Sequence, residues 1–196
     1  RTRLKELSPL RKEAFENTIN TLKENGAVII EDLEIKQTAK IYHVMKYEFK
    51  ACINSYLAKE GLDIRLKDIV KYNQDDPKAN LKYGQEVLLD VINSTSGRMN
   101  EVEYTEALKE RDEATVVLNN LFKTNELDMI YFANYTSLGP HCGFPTLSLP
   151  IGLDEKGMPI GTYFLSNVFE EGKLIQIADF IEKKNKLNLN PLKKAA

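Results

Sequence analysis

Residues 143–166 restrict the fold more than any other part of the chain. Two short runs, 146–153 and 160–166, are rich in apolar, β-branched and aromatic residues, and the polar stretch Asp154-Glu155-Lys156-Gly157 separates them. That pattern is a strand, a turn with glycine at a positive φ, and a second strand. Pro145, Pro150 and Pro159 punctuate the runs, and each removes a backbone donor, so neither strand can pair fully on both sides.

Composition closes off several classes of function. A formal net charge of −2 gives no cationic surface for phosphate, so nucleic acid is not an expected partner. The two cysteines, Cys52 and Cys142, are far apart and form no Cys-x-x-Cys motif, which argues against a disulfide framework or a structural zinc and for a reduced, cytoplasmic setting. No apolar run approaches the ~20 residues of a membrane span. The chain opens at Arg1 rather than Met, as expected if residues were removed or if this is a piece of a longer product.

Ser8 followed by Pro9 is a helix start, with Leu10, Phe15, Ile19 and Leu22 near helical spacing and Gly26 as the C-terminal cap. Residues 27–30, Ala-Val-Ile-Ile, then read as a buried strand, making 8–31 a helix–strand unit. A helical segment follows over 36–124. Its first helix begins near Lys36 or Thr38 and ends at Gly61, with Ile41, Val44, Met45, Phe49, Ile53, Tyr56 and Leu57 on one side. Further helices are expected over 66–73, from Tyr83 to about Ser94, and over 101–124, with 93–97 as a polar linker. The charged first half of the last of these reads as a solvated face. A second buried strand at 127–132 precedes the hairpin, a helix over 170–185 follows it, and 183–196 reads as a ragged terminus.

Gly143, Pro145, Ser148, Pro150 and Gly152, then Gly157, Pro159 and Gly161, then Phe169 and Glu171 occupy the pattern Gly-x-Pro-x-x-Ser-x-Pro-x-Gly, Gly-x-Pro-x-Gly, Phe-x-Glu. This resembles the C-terminal end of the amidase signature family. Glu48-Phe49-Lys50, Asn54-Ser55-Tyr56-Leu57 and Tyr83-Gly84-Gln85-Glu86 look like its stand-alone amidase branch, and the resemblance reaches back to about Lys12. It departs after 127–132, where the family's proline is absent and the loop to Gly143 is short. The resemblance implies an α/β fold with a mixed β-sheet covered by α-helices, residues 1–196 being the C-terminal portion of the domain. A small sheet of this kind leaves an edge and an apolar face open, which suggests a homodimer or another chain as partner.

Family members hydrolyse carboxamide C–N bonds through a Ser, cis-Ser, Lys arrangement and a glycine-rich oxyanion loop. No Gly-Gly pair occurs in this chain, and no serine stands between glycines. Ser94-Thr95-Ser96-Gly97 is the nearest approach, within the expected linker. No catalytic residue is therefore assigned here, and the chain alone is expected to be inactive, contributing scaffold and one wall of a pocket for a small-molecule amide. Carried over by position, the resemblance gives that wall Thr136, Gly139 and His141; an ordinary loop between strands is the other reading. Tyr83, Gln85 and Glu86 are a helix start whose carboxylate suits the dipole, and Ser148 a structural serine bonding to backbone.

His141-Cys142 with His43 raises a cysteine nucleophile, against which adjacent residues in a turn rarely face each other and His43 falls inside a helix. No metal or cofactor is implied. Two alternatives remain: a non-catalytic binding domain of the same fold, and a relative of the amidotransferase component that makes ammonia for tRNA-dependent amide formation.

Overall fold

The structure is a computed structural model and describes residues 7–31, 33, 35 and 40–185. In chain order, among these residues, the elements are α1 (Pro9–Glu24), α2 (Ile41–Lys59), α3 (Leu66–Asp75), α4 (Pro77–Asn80), α5 (Glu86–Ser94), α6 (Val102–Thr124), β1 (Ile130–Phe132), α7 (Leu138–Cys142), β2 (Thr146–Leu153), β3 (Pro159–Leu165) and α8 (Glu171–Asn185). They divide into two compact units, one of residues 1–37 and 114–196, the other of residues 38–113.

In the first unit the strands form one antiparallel sheet in the order β1-β3-β2. The turn works as its residues dictate. The Asp154 carboxylate accepts from the amides of Lys156 (2.9 Å) and Met158 (2.8 Å), and Gly157 takes φ 76°. β2 and β3 then pair from Leu153 opposite Pro159 to Thr146 opposite Leu165, with an irregularity between Pro150 and Gly152. Leu149, Phe164 and Leu174 lie in one cluster with Leu22 and Ile181, so α1 and α8 share one face of the sheet. Tyr131 stacks between Phe15 (4.4 Å) and Phe164 (4.6 Å) on that face. The other face receives α6 and α7: Leu118, Phe122, Leu138 and Phe144 pack on Ile130 and Leu165.

The expected strand over 27–30 is not one. Val28 is 89% exposed, and these residues pair with no strand among those described. An apolar β-branched run states a preference for burial, but a strand forms only where a neighbouring edge accepts its hydrogen bonds.

The second unit has its own core of Val44, Tyr47, Tyr104 and Ala107. The motif residues of α2 hold it together. The Glu48 carboxylate accepts from the Tyr104 hydroxyl at 2.9 Å, and the Lys50 ammonium donates to the carbonyls of Ile92 and Thr95 at the end of α5. Asn54 accepts from the Leu66 amide at 2.9 Å, fixing the start of α3. Buried Gln85 bridges Asn73 and the Val70 carbonyl. The residues 93–97, expected as a linker, are ordered at both ends: Asn93 and Ser94 finish α5, and buried Thr95 donates to the Val91 carbonyl at 2.7 Å.

The single apolar side expected for the first helix of this segment is split. Val44, Tyr47 and Leu57 are buried, whereas Met45, Phe49 and Tyr56 are exposed. A helix apolar on most sides has no unique face in its periodicity, so the pattern could not choose between them. The helix start near Lys36 or Thr38, the side chain of Ile41 and the tail from 186 onward lie outside the described residues.

Ahead of α6, Glu101 binds back into the preceding loop. Its carboxylate takes the amides of Ser96 (2.8 Å) and Asn100 (3.0 Å), and the Ser96 hydroxyl, then the Ser96, Glu101 and Asn100 amides, lower its pKa from 4.5 to about 2. A depressed carboxyl pKa contributes stability above its unfolded value and loses it as the pH falls through the folded one. Glu101→Gln should therefore unfold at a lower temperature than the parent chain near neutrality, and the gap should close between pH 4.5 and about 2. Thermal melts followed by circular dichroism across that range check this.

Candidate functional site

The residues expected to line a pocket lie between β1 and β2. The segment from Ala133 to Phe144 leaves the sheet after Phe132, makes the short helix α7, and returns at Thr146. Thr136 is buried, and its hydroxyl accepts from the Leu138 amide at 3.2 Å, starting the helical turn. The His141 amide donates to the Ser137 carbonyl at 3.0 Å, and Gly143, at φ 77°, ends α7 in the left-handed region. The Phe144 amide then reaches back to the Gly139 carbonyl at 2.9 Å. One turn of helix thus holds Gly139 and His141, with Thr136 at its entrance. His141 is mostly buried.

Gly139 is glycine for want of space. A Cβ there would overlap the Thr146 hydroxyl and press within 3.1 Å of Leu165. α7 therefore lies directly on the start of β2, and its position is locked to the hairpin. Beyond this contact the same sheet face opens. Ser148 is exposed and stands opposite Tyr163 in the register, and Tyr163 meets exposed Tyr135 edge to face at 5.4 Å. The Ser148 hydroxyl makes no hydrogen bond among the described residues, so the backbone-bonding role expected for it is absent.

At the other end of the segment, Arg11 of α1 donates to the carbonyls of Gly161 (2.6 Å) and Ala133 (3.1 Å). Sequence reasoning passed over this residue. The signal was present: a cation in the first turn of a helix opposes the helix dipole and asks for another partner. The Tyr131 hydroxyl is enclosed with no partner at hydrogen-bonding geometry among the described residues. Its burial raises the phenol pKa, and the Thr162 and Thr18 hydroxyls nearby offset part of that rise.

His43 belongs to α2 in the second unit, whereas Cys142 is half-buried against the cluster under α7 in the first. Neither thiol is in a disulfide. Tyr83, Gln85 and Glu86 divide in role: Tyr83 is exposed, Gln85 is a buried bridge, and Glu86 turns back beneath Gly84, where a Cβ would stand 2.5 Å from its carboxylate oxygens. Among the described residues no group of three or more His, Cys, Asp or Glu is placed to hold a metal ion, and no helix is long and apolar enough to cross a membrane.

No protein-family model matches the chain. A probable amidase of Arabidopsis thaliana is 30% identical over 183 residues, covering 86% of this chain and 35% of that protein. A glutamyl-tRNA(Gln) amidotransferase component of Aliarcobacter butzleri is 26% identical over 90% of this chain and 44% of its own length. Among solved structures, an amidase family protein from Bacillus anthracis superposes with a TM-score of 0.82 at 24% identity, over 96% of this chain and 38% of that one. The chain thus spans between about a third and a half of the length of these proteins.

The close approach of α7 to β2 is open to test. Gly139→Ala should cost about 1–3 kcal/mol of unfolding free energy by overpacking. Part of that loss should return when Thr146→Ala removes the hydroxyl the new methyl meets. Urea denaturation of the single and double variants measures both.

Proposed function

Because this chain belongs to the amidase signature family, we propose that it is the C-terminal portion of an amidase domain that hydrolyses carboxamide C–N bonds. The observation that carries this is the placement of the family pattern. Gly143 ends α7, Ser148 and Gly161 lie on the open sheet face, Gly157 makes the hairpin turn, and Glu171 begins α8, all on one connected scaffold. In this reading the acyl-enzyme chemistry belongs to a Ser, cis-Ser, Lys set that the chain does not contain. Its own part is to present the α7 segment as one wall of the acyl pocket. Thr136 orders the segment, Gly139 seats it on β2, and His141 gives the wall a polar group. The open face beside it, with Ser148, Tyr163 and Tyr135, continues the surface that a small amide would meet.

A second reading is favoured by the amidotransferase relative that matches nearly the whole chain. There the same amide cleavage would feed ammonia to an acceptor instead of to water. The outward residues of α2, Met45, Phe49 and Tyr56, suit a homodimer or a complementary chain in either case. A reduced, cytoplasmic setting fits the two unbridged thiols.

The purified chain, offered a panel of aliphatic, aromatic and peptide carboxamides, should release ammonia no faster than buffer does. Turnover above that level, abolished by a serine-directed acylating reagent, would show that the chain holds a nucleophile of its own and would overturn the assignment.

A further inference from the structure

We infer that Arg11 is the positioning residue of the α7 segment, setting where the proposed pocket wall stands relative to the sheet. The ladder between β1 and β3 ends at Phe132 opposite Tyr163. Past that point the strands part. The Phe132 carbonyl is taken by the Thr162 hydroxyl at 2.7 Å, and the next carbonyl of the departing strand, that of Ala133, is taken by Arg11. The same guanidinium nitrogen holds the Gly161 carbonyl on β3. One cation thereby does across the gap what ladder hydrogen bonds do before it, and it fixes the root from which residues 134–143 leave the sheet.

Two features argue that this contact positions the segment and is more than incidental surface polarity. Arg11 stands in the first turn of α1, where no acidic residue accompanies it and the helix dipole disfavours a cation. Among the described residues it has no carboxylate partner, so the two carbonyls are what hold it. The far end of the segment is already rigid, because Gly139 rests on Thr146 and Gly143 closes α7. With that end fixed, the Arg11 clamp sets the root of the segment beside the Tyr135–Tyr163 contact.

A lysine keeps a donor for these carbonyls, both of which Arg11 meets through one nitrogen, but holds it less firmly. Its ammonium is a point charge on a flexible stem, whereas the planar guanidinium presents donors in a fixed fork.

The inference rests on reading the α7 segment as a pocket wall, but its test needs no amide substrate, so it can fail while that reading stands. Amide hydrogen exchange on the full chain compares the parent with Arg11→Lys and Arg11→Ala. Loss of hydrogen bonds to a charged donor should speed exchange at Leu138, whose amide is held by Thr136 at the root, by about ten- to a hundredfold in Arg11→Ala and by less in Arg11→Lys. The β2–β3 ladder amides should keep their protection. Ethylguanidinium at millimolar concentration should restore the Leu138 amide in Arg11→Ala, as bulk packing alone would not.

Unchanged exchange at Leu138 in Arg11→Ala would overturn the inference. So would an equal rise along the β2–β3 ladder, or a loop increase in Arg11→Ala that ethylguanidinium leaves in place.

Discussion

The fold depends on the burial of one strand. β3 lies between β1 and β2, and Thr162, Phe164 and Leu165 along it are essentially inaccessible to water. A strand bonded on both edges and covered on both faces at Phe164 and Leu165 fixes what is attached there. Phe164 receives α1 and α8 through Leu22, Leu174 and Ile181, and Leu165 receives α6 and α7 through Leu118 and Leu138. Because successive side chains alternate between faces, a one-residue slip would exchange these two cores, so the register is held by both at once. The site inherits that rigidity, since Gly139 touches Leu165 and Thr146 together.

The second unit is organised differently, around polar contacts that reach from one helix to the backbone of the next. Lys50 meets the last carbonyls of α5, Asn54 the first amide of α3, and Gln85 a carbonyl of α3. The first two satisfy backbone groups that a helix end leaves without an intrahelical partner, whereas the Val70 carbonyl lies inside α3. Lys50 and Asn54, both part of the family pattern, are therefore accounted for by helix-end chemistry. What that chemistry leaves unexplained is the outward side of α2, where Met45, Phe49 and Tyr56 stay exposed.

How much was legible follows from where the information resides. The hairpin could be read because its signals are local: alternation, an aspartate that caps its own turn, and a glycine where φ must be positive. Helix ends were legible to within a few residues for the same reason. The strand over 27–30 was not, since strand formation depends on a neighbour that a local pattern cannot name. Nor was the buried side of α2, where apolar residues surround the helix. At the site, Thr136, Gly139 and His141 came from resemblance, and the fold puts Gly139 and His141 in one turn with Thr136 at its entrance. Arg11 was missed because its partners, Ala133 and Gly161, lie more than a hundred positions away in sequence.

We propose that this scaffold serves an amide-hydrolysing site whose reacting groups lie outside residues 1–196. The most direct test is to read the coding sequence in frame upstream of the Arg1 codon. A serine pair flanked by glycines, with a lysine well before it, is the predicted result. A start codon adjoining Arg1, or an upstream sequence with no such serines and lysine, would contradict the account and leave a non-catalytic domain of the same fold.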